Sequence, residues 1–187
     1  MDRRDVARNR ERFDRVFALL DGVRDKVVAM FHSVTPSQAD RRPADNEWSI
    51  AEIAHHLAIT ERAYLGMVAD LAAAAPPHEF AYDEVVRTRP FRIEDTWNIG
   101  ITGTLPTPPE LLPTPGRSLP QLEADLQAAR TRSRHILAPY RDQDLGVKFF
   151  VHPRLGSMTL YERTEQIAYH ELKHLKQMER VLARLAA

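Results

Sequence analysis

His170 and His174 stand four residues apart in the run Tyr169-His170-Glu171-Leu172-Lys173-His174. At about 100° per residue, such a pair leaves one helix face a single turn apart, and that spacing lets two imidazoles hold one metal ion. The same letters spell H-E-x-x-H, where two zinc-bound histidines flank a glutamate that acts as general base. The segment therefore offers two chemistries: metal ligation by the pair, or proteolysis by the triplet.

A metal site needs a third ligand, and an earlier helical segment carries His55 and His56. With Ile53 at the centre of that segment's apolar stripe, His56 falls about 60° to one side and His55 about 160° away. His56 is expected to point inward, and His55 to be solvated or at an oligomer interface. His56, His170 and His174 would supply three neutral nitrogens and leave one or more coordination positions open, a catalytic rather than a closed structural arrangement. Zn²⁺ and Ni²⁺ both suit imidazole. The open position can take a water whose pKa falls to about 7, or a substrate thiolate. Cysteine is absent, so a thiol nucleophile must arrive as a cosubstrate. Of the other histidines, His32 closes the first helix, His135 is alone in the third, and His78 and His152 fall in loops. His152 can approach the site, because its loop leads into the last helix.

Four segments with a helical period must position these groups. The first runs from about Val6 to His32, with Phe13, Val16, Phe17, Leu20, Val23, Val27, Met30 and Phe31 in steps of three and four. The second begins at the capping-box pattern Ser49-Ile50-Ala51-Glu52, carries the stripe Ile53, Leu57, Thr60, Tyr64, Met67 and Leu71, and stops at Pro76-Pro77. The third opens at Ser118, with Pro120 in its first turn and Gln121 completing a cap, and ends at Pro139. Residues 145–158 read as a loop. Thr159-Leu160-Tyr161-Glu162 caps the fourth helix, whose stripe is Leu160, Thr164, Ile167, His170, His174, Met178, Val181 and Leu185. Glu171 and Lys173 are expected to turn away from it.

Eight prolines fall between positions 76 and 117, so no long helix persists there. A connection of that length is a crossover rather than a bundle turn. The expected fold is all-α: one four-helix bundle domain over 1–187 with a long Pro-rich crossover between the second and third helices.

Composition limits the partners. Lys+Arg and Asp+Glu balance at 26 each, which leaves nucleic-acid binding without its electrostatic source. No apolar run approaches the roughly 20 residues that span a bilayer, and the N-terminus lacks the features of a secretory signal. A soluble, cytoplasmic protein is expected.

Glu47-Trp48-Ser49-Ile50-Ala51-Glu52-Ile53-Ala54-His55-His56-Leu57 resembles the W-S-x-x-E-x-x-x-H-L motif of the DinB/YfiT-like superfamily. His152-Pro153-Arg154-Leu155-Gly156, followed by His170-x-x-x-His174-x-x-Gln177, is similar to its second half. The resemblance implies a four-helix bundle, often dimeric. It also implies a divalent metal held by His56, His170 and His174. The activities it implies are metal-dependent hydrolysis and thiol S-transfer using bacillithiol, mycothiol or glutathione.

Three readings follow. The favoured one is a metal-dependent thiol transferase or hydrolase acting on a small molecule. Glu61 is a candidate outer carboxylate in it, although an exposed glutamate paired with Arg62 is the plainer expectation. Arg87, Arg89 and Arg92 could hold the carboxylates of a peptide-like thiol. A zinc protease is disfavoured. The extended pattern requires glycine at 177 and histidine at 180, where the chain has Gln177 and Arg180. With thirteen residues after His174, no downstream ligand helix is expected either. The third reading is a non-enzymatic metal-binding or interaction bundle. The sequence assigns no catalytic or substrate-binding residue.

Overall fold

The computed structural model describes residues 2–74, 107–152 and 156–186. Four long helices dominate: α1 (Arg3–His32), α3 (Ile50–Ala73), α4 (Leu119–Leu137) and α5 (Leu160–Ala186). A short helix, α2 (Pro36–Asp40), lies in the first connection. The expected four-helix bundle is the observed fold. Most of the crossover, residues 76–106, lies outside the described residues, as do His78, Arg87, Arg89 and Arg92.

The expected caps form. Ser49 Oγ accepts from the Glu52 N–H at 3.2 Å, and Glu52 Oε2 accepts from the Ser49 N–H at 2.9 Å. Thr159 and Glu162 do the same at the start of α5, at 3.2 and 2.8 Å. Each reciprocal pair satisfies two of the donors that a helix start leaves open.

Residues 145–158 are more ordered than a loop. β1 (Phe149–His152) and β2 (Gly156–Thr159) pair antiparallel, with Phe149 opposite Thr159. Phe149, Phe150 and Val151 are residue types that suit a pleated surface. Gly156 takes a φ of 73°, open to glycine without steric cost, and lets the chain double back. Thr159 ends β2 and caps α5, so the hairpin delivers the chain directly into that helix.

The core has two apolar halves. One gathers Phe17, Leu20, Val23, Leu65, Val68, Leu137 and Ile167; the other gathers Val27, Phe31, Ile53, Leu57, Leu126, Met178 and Val181. α1 and α5 enter the first half before the second, whereas α3 and α4 enter the second before the first. The helices therefore run as two parallel pairs of opposite direction. α3 packs on both α4 and α5, and α1 packs on α5. Because α3 and α4 point the same way, the chain between them must return along the bundle, roughly 36 Å for a helix of 24 residues. That distance rules out a short bundle turn between them.

A charged layer separates the halves, with one residue from each long helix: Arg24, Glu61, Arg130 and Glu171. All four are at most 4% exposed. Arg24 donates to Glu61 Oε2 and Glu171 Oε1, both at 2.5 Å, to Glu171 Oε2 at 3.2 Å and to the Leu126 carbonyl at 2.5 Å. Arg130 donates to Glu61 Oε1 at 2.8 Å, Glu171 Oε1 at 3.0 Å and Asp21 at 3.0 Å. Ser133 Oγ adds a bond to Glu61 at 3.0 Å. Burial pushes the Glu171 carboxyl above its ordinary range, and Arg24 and Arg130 oppose that push. Two guanidiniums against two carboxylates leave the layer neutral, the condition on which buried charge is tolerated.

Two sequence expectations are thereby corrected. Glu171 does not turn away to the surface, and Glu61 is neither exposed nor paired with Arg62. Arg62 lies instead 3.7 Å from Asp125. Removing one cation leaves two buried carboxylates to share a single guanidinium. Arg24→Met is expected to cost about 3–5 kcal/mol in urea unfolding, well beyond an ordinary surface substitution.

Candidate metal centre

The packing of α3 on α5 brings His56, His170 and His174 together, with one ring nitrogen from each within 4.8 Å of the others. Ring centroids are 5.2 Å apart for His56–His170, 5.0 Å for His56–His174 and 4.5 Å for His170–His174. His56 and His174 are buried and His170 is half-buried. These are the three residues that the stripe geometry and the motifs selected.

Partners at the far nitrogens set the tautomers. His56 Nδ1 lies 2.8 Å from the Leu111 carbonyl. That oxygen can only accept, so Nδ1 carries the proton and Nε2 presents a lone pair. His174 Nδ1 donates in the same way to Gln177 Oε1 at 2.8 Å. His174 Nε2 then faces His170 Nε2 at 3.1 Å, and the His170 N–H fills the gap. In tetrahedral zinc, nitrogens about 2.0–2.1 Å from the ion stand roughly 3.3 Å apart. A cation replacing the shared proton thus asks little movement of that pair. The donor set fits a divalent ion of imidazole preference.

The surroundings keep all three rings neutral. Desolvation is the main cause at each. It lowers His56, takes His170 well below its usual value and brings His174 to about 3. The neighbouring cation Lys173 lowers all three further. Neutral imidazole is the form that ligates.

Trp48, one residue before the Ser49 cap, lies 4.9 Å from the His56 ring and 6.5 Å from that of His174. Tyr64 lies 6.3 Å from the His170 ring. Arg163 covers Tyr64, with its Cζ 4.0 Å from the ring centroid. Both aromatics were visible in the sequence, Trp48 in the motif and Tyr64 on the stripe, but without a role. Gln177 was likewise quoted in the motif without one. Leu111 acts through its backbone, which leaves no mark in sequence. The His152 side chain lies outside the described residues.

His55 corrects a further expectation. It is neither solvated nor a metal ligand: it is buried, and its Nδ1 accepts from the Thr114 N–H at 2.9 Å. The returning segment 107–117 packs over α3 here and is held by both adjacent histidines, through Thr114 at His55 and Leu111 at His56. Glu171 cannot serve as a protease base either, because both of its oxygens are engaged by arginines on the core side.

A family model described as the DinB superfamily matches residues 19–178. Among solved structures, YfiT from Bacillus subtilis is described as a probable metal-dependent hydrolase with an unusual four-helix bundle topology. It aligns at a TM-score of 0.59 and 20% identity, over 92% of this chain and 87% of that one. TT2238, described as a four-helix bundle protein, aligns at 0.51 and 18%, over 89% and 98%. At these identities the likeness carries the fold. No curated protein matches the sequence.

The depressed histidines fix a pH dependence. The unfolded chain takes up protons near pH 6.5 that the folded chain refuses until far lower, to about 3 for His174. The unfolded state binds more protons in that window, so stability falls as pH drops through it. In metal-free protein, urea midpoints are expected to fall between pH 7 and pH 4. His174→Gln should flatten that dependence.

Proposed function

This chain belongs to the DinB superfamily, and from that premise we propose that it is a metal-dependent enzyme of small-molecule chemistry, a hydrolase or a low-molecular-weight thiol S-transferase. The observation that carries the reading is the trio His56, His170 and His174. Their ring nitrogens converge within 4.8 Å, with two of the far nitrogens already committed to fixed acceptors. A bound Zn²⁺ or Ni²⁺ would supply Lewis acidity at an open position, lowering the pKa of a water or thiol and polarising an electrophile.

The chain's own residues define the rest. Leu111 and Gln177 hold the tautomers of His56 and His174, which raises their basicity as ligands and fixes ring orientation. Trp48 and Tyr64 form apolar walls beside the rings and limit water. The ligand set holds no carboxylate, so an ion here keeps its full charge and favours an anionic fourth ligand, such as a thiolate. With no cysteine in the chain, that thiolate belongs to a cosubstrate. YfiT's description as a probable metal-dependent hydrolase supports the same class. A cytoplasmic homodimer without nucleic-acid or membrane partners completes the proposal. In keeping with it, no helix among the described residues is long and apolar enough to cross a membrane.

Metal analysis tests the reading. Wild type supplied with Zn²⁺ or Ni²⁺ is expected to retain about one ion per chain, and His56→Ala to lose it. Gln177→Leu should weaken binding about 10–100-fold. A wild type without stoichiometric metal would overturn the proposal. A loaded protein is then offered a thiol with an electrophile, and separately a panel of esters and amides. Turnover of the first pair identifies a transferase and of the second a hydrolase. Turnover of neither leaves a metal-binding bundle without catalysis.

A further inference from the structure

Glu171 sits between two of the proposed ligands in sequence and inside the charged layer in space. At about 100° per residue, its side chain leaves α5 roughly 100° round from His170 and 60° from His174. Fixing Glu171 therefore fixes the azimuth of both histidines. Both of its oxygens are held, Oε1 by Arg24 at 2.5 Å and Arg130 at 3.0 Å, and Oε2 by Arg24 at 3.2 Å. α3 repeats the arrangement. Glu61 lies five residues beyond His56, about 140° round the helix, and is held by Arg24 at 2.5 Å, Arg130 at 2.8 Å and Ser133 at 3.0 Å.

The two ligand-bearing helices are thus pinned by the same two guanidiniums, which come from the two helices that carry no ligand. Arg24 and Arg130 are in turn anchored from outside the layer, Arg24 on the Leu126 carbonyl and Arg130 on Asp21. Apolar packing alone tolerates small rotations, because Leu, Ile and Val repack at modest cost. A forked guanidinium between two carboxylates does not, because buried donors and acceptors lose their partners when the angle changes. A side-chain tip roughly 6 Å from a helix axis moves about 1 Å for each 10° of rotation. Working sites need their groups held to about 0.5 Å. The interhelical nitrogen geometry is therefore sensitive to the rotations that the layer blocks.

We infer that the Arg24–Glu61–Arg130–Glu171 layer positions the metal site, with Glu61 and Glu171 as the positioning residues that set His56 against His170 and His174. The inference rests on the proposal that these three histidines bind a metal, and it adds a function to a layer otherwise explained by stability alone.

Co²⁺ is the probe, because its visible absorption reports coordination geometry and its titration gives an affinity without any assay of turnover. Full-length wild type, Glu171→Gln and Val16→Ala are compared below their unfolding transitions. Glu171→Gln keeps the shape of the side chain and removes its charge. Val16→Ala removes buried apolar volume from α1, two turns from Arg24, and serves as a control for lost stability. Glu171→Gln is expected to weaken Co²⁺ binding about tenfold or more and to alter the band positions or intensities, while Val16→Ala leaves both as in wild type. Should Glu171→Gln fail to fold, Arg130→Lys, which keeps the charge and loses the fork, carries the comparison with the same spectral change expected. A wild type that binds no Co²⁺ removes the metal reading and this inference with it. A wild type that binds, with the folded layer variant indistinguishable from it, overturns the inference and leaves the metal reading intact. Equal shifts in Val16→Ala and the layer variant overturn it too, since they would reflect stability rather than position.

Discussion

Buried charge has to be paired, and here that requirement is met by four residues from four different helices. Arg24, Glu61, Arg130 and Glu171 form one neutral layer across the middle of the bundle, with apolar cores above and below. Each guanidinium reaches both carboxylates, so no pair can satisfy itself in isolation. The arrangement exists only when all four helices are present at one height and one rotation. Apolar stripes can slide past one another at modest cost, and a layer of this kind cannot. It selects one register from the many that the stripes alone would tolerate, a role attested for buried polar groups in coiled coils.

The candidate metal centre lies beside this layer and depends on a second kind of constraint. Its three rings are kept neutral mainly by loss of water, which leaves them in the form that can ligate. Their tautomers are set by one side chain from their own helix, Gln177, and one backbone carbonyl from the returning crossover, Leu111. The site is therefore assembled from three parts of the chain. α3 and α5 provide the nitrogens, and the 107–117 segment provides the acceptor that turns His56 the right way round. The parallel run of α3 and α4 rules out a short turn between them. The end of that crossover supplies the acceptor for His56, which ties the connectivity to the candidate site.

Much of this was legible in the sequence because it is local or periodic. Capping boxes at Ser49 and Thr159 are four-residue patterns, and the helices they start were found from them. His56, His170 and His174 were selected because a stripe fixes azimuth to within a few tens of degrees, enough to separate His56 from His55. The rest failed for identifiable reasons. Glu61 and Glu171 are charged, and a charge is exposed unless partners arrive from elsewhere. Those partners, Arg24 and Arg130, lie 37 and 69 residues from Glu61 and 147 and 41 from Glu171, with no local pattern to connect them. His55 does point away from the stripe, but the returning segment covers that side of α3, so an outward azimuth did not mean solvent. The hairpin was hidden by Gly156, read as loop where it marks the turn into β2.

The H-E-x-x-H letters show why the distinction matters. In a zinc protease the glutamate must reach a water beside the ion, so it has to share the open side of the ligands. In this chain Glu171 projects on the far side of His174 and spends both oxygens on arginines in the core. A carboxylate so engaged is not free to reach a water beside the ring nitrogens. The same five letters thus describe two incompatible geometries, and the difference lies in what α5 packs against rather than in the motif. Where the other helices supply two buried arginines at the height of the glutamate, the motif's base becomes part of the frame. The histidines on either side are then left neutral, facing His56 of α3.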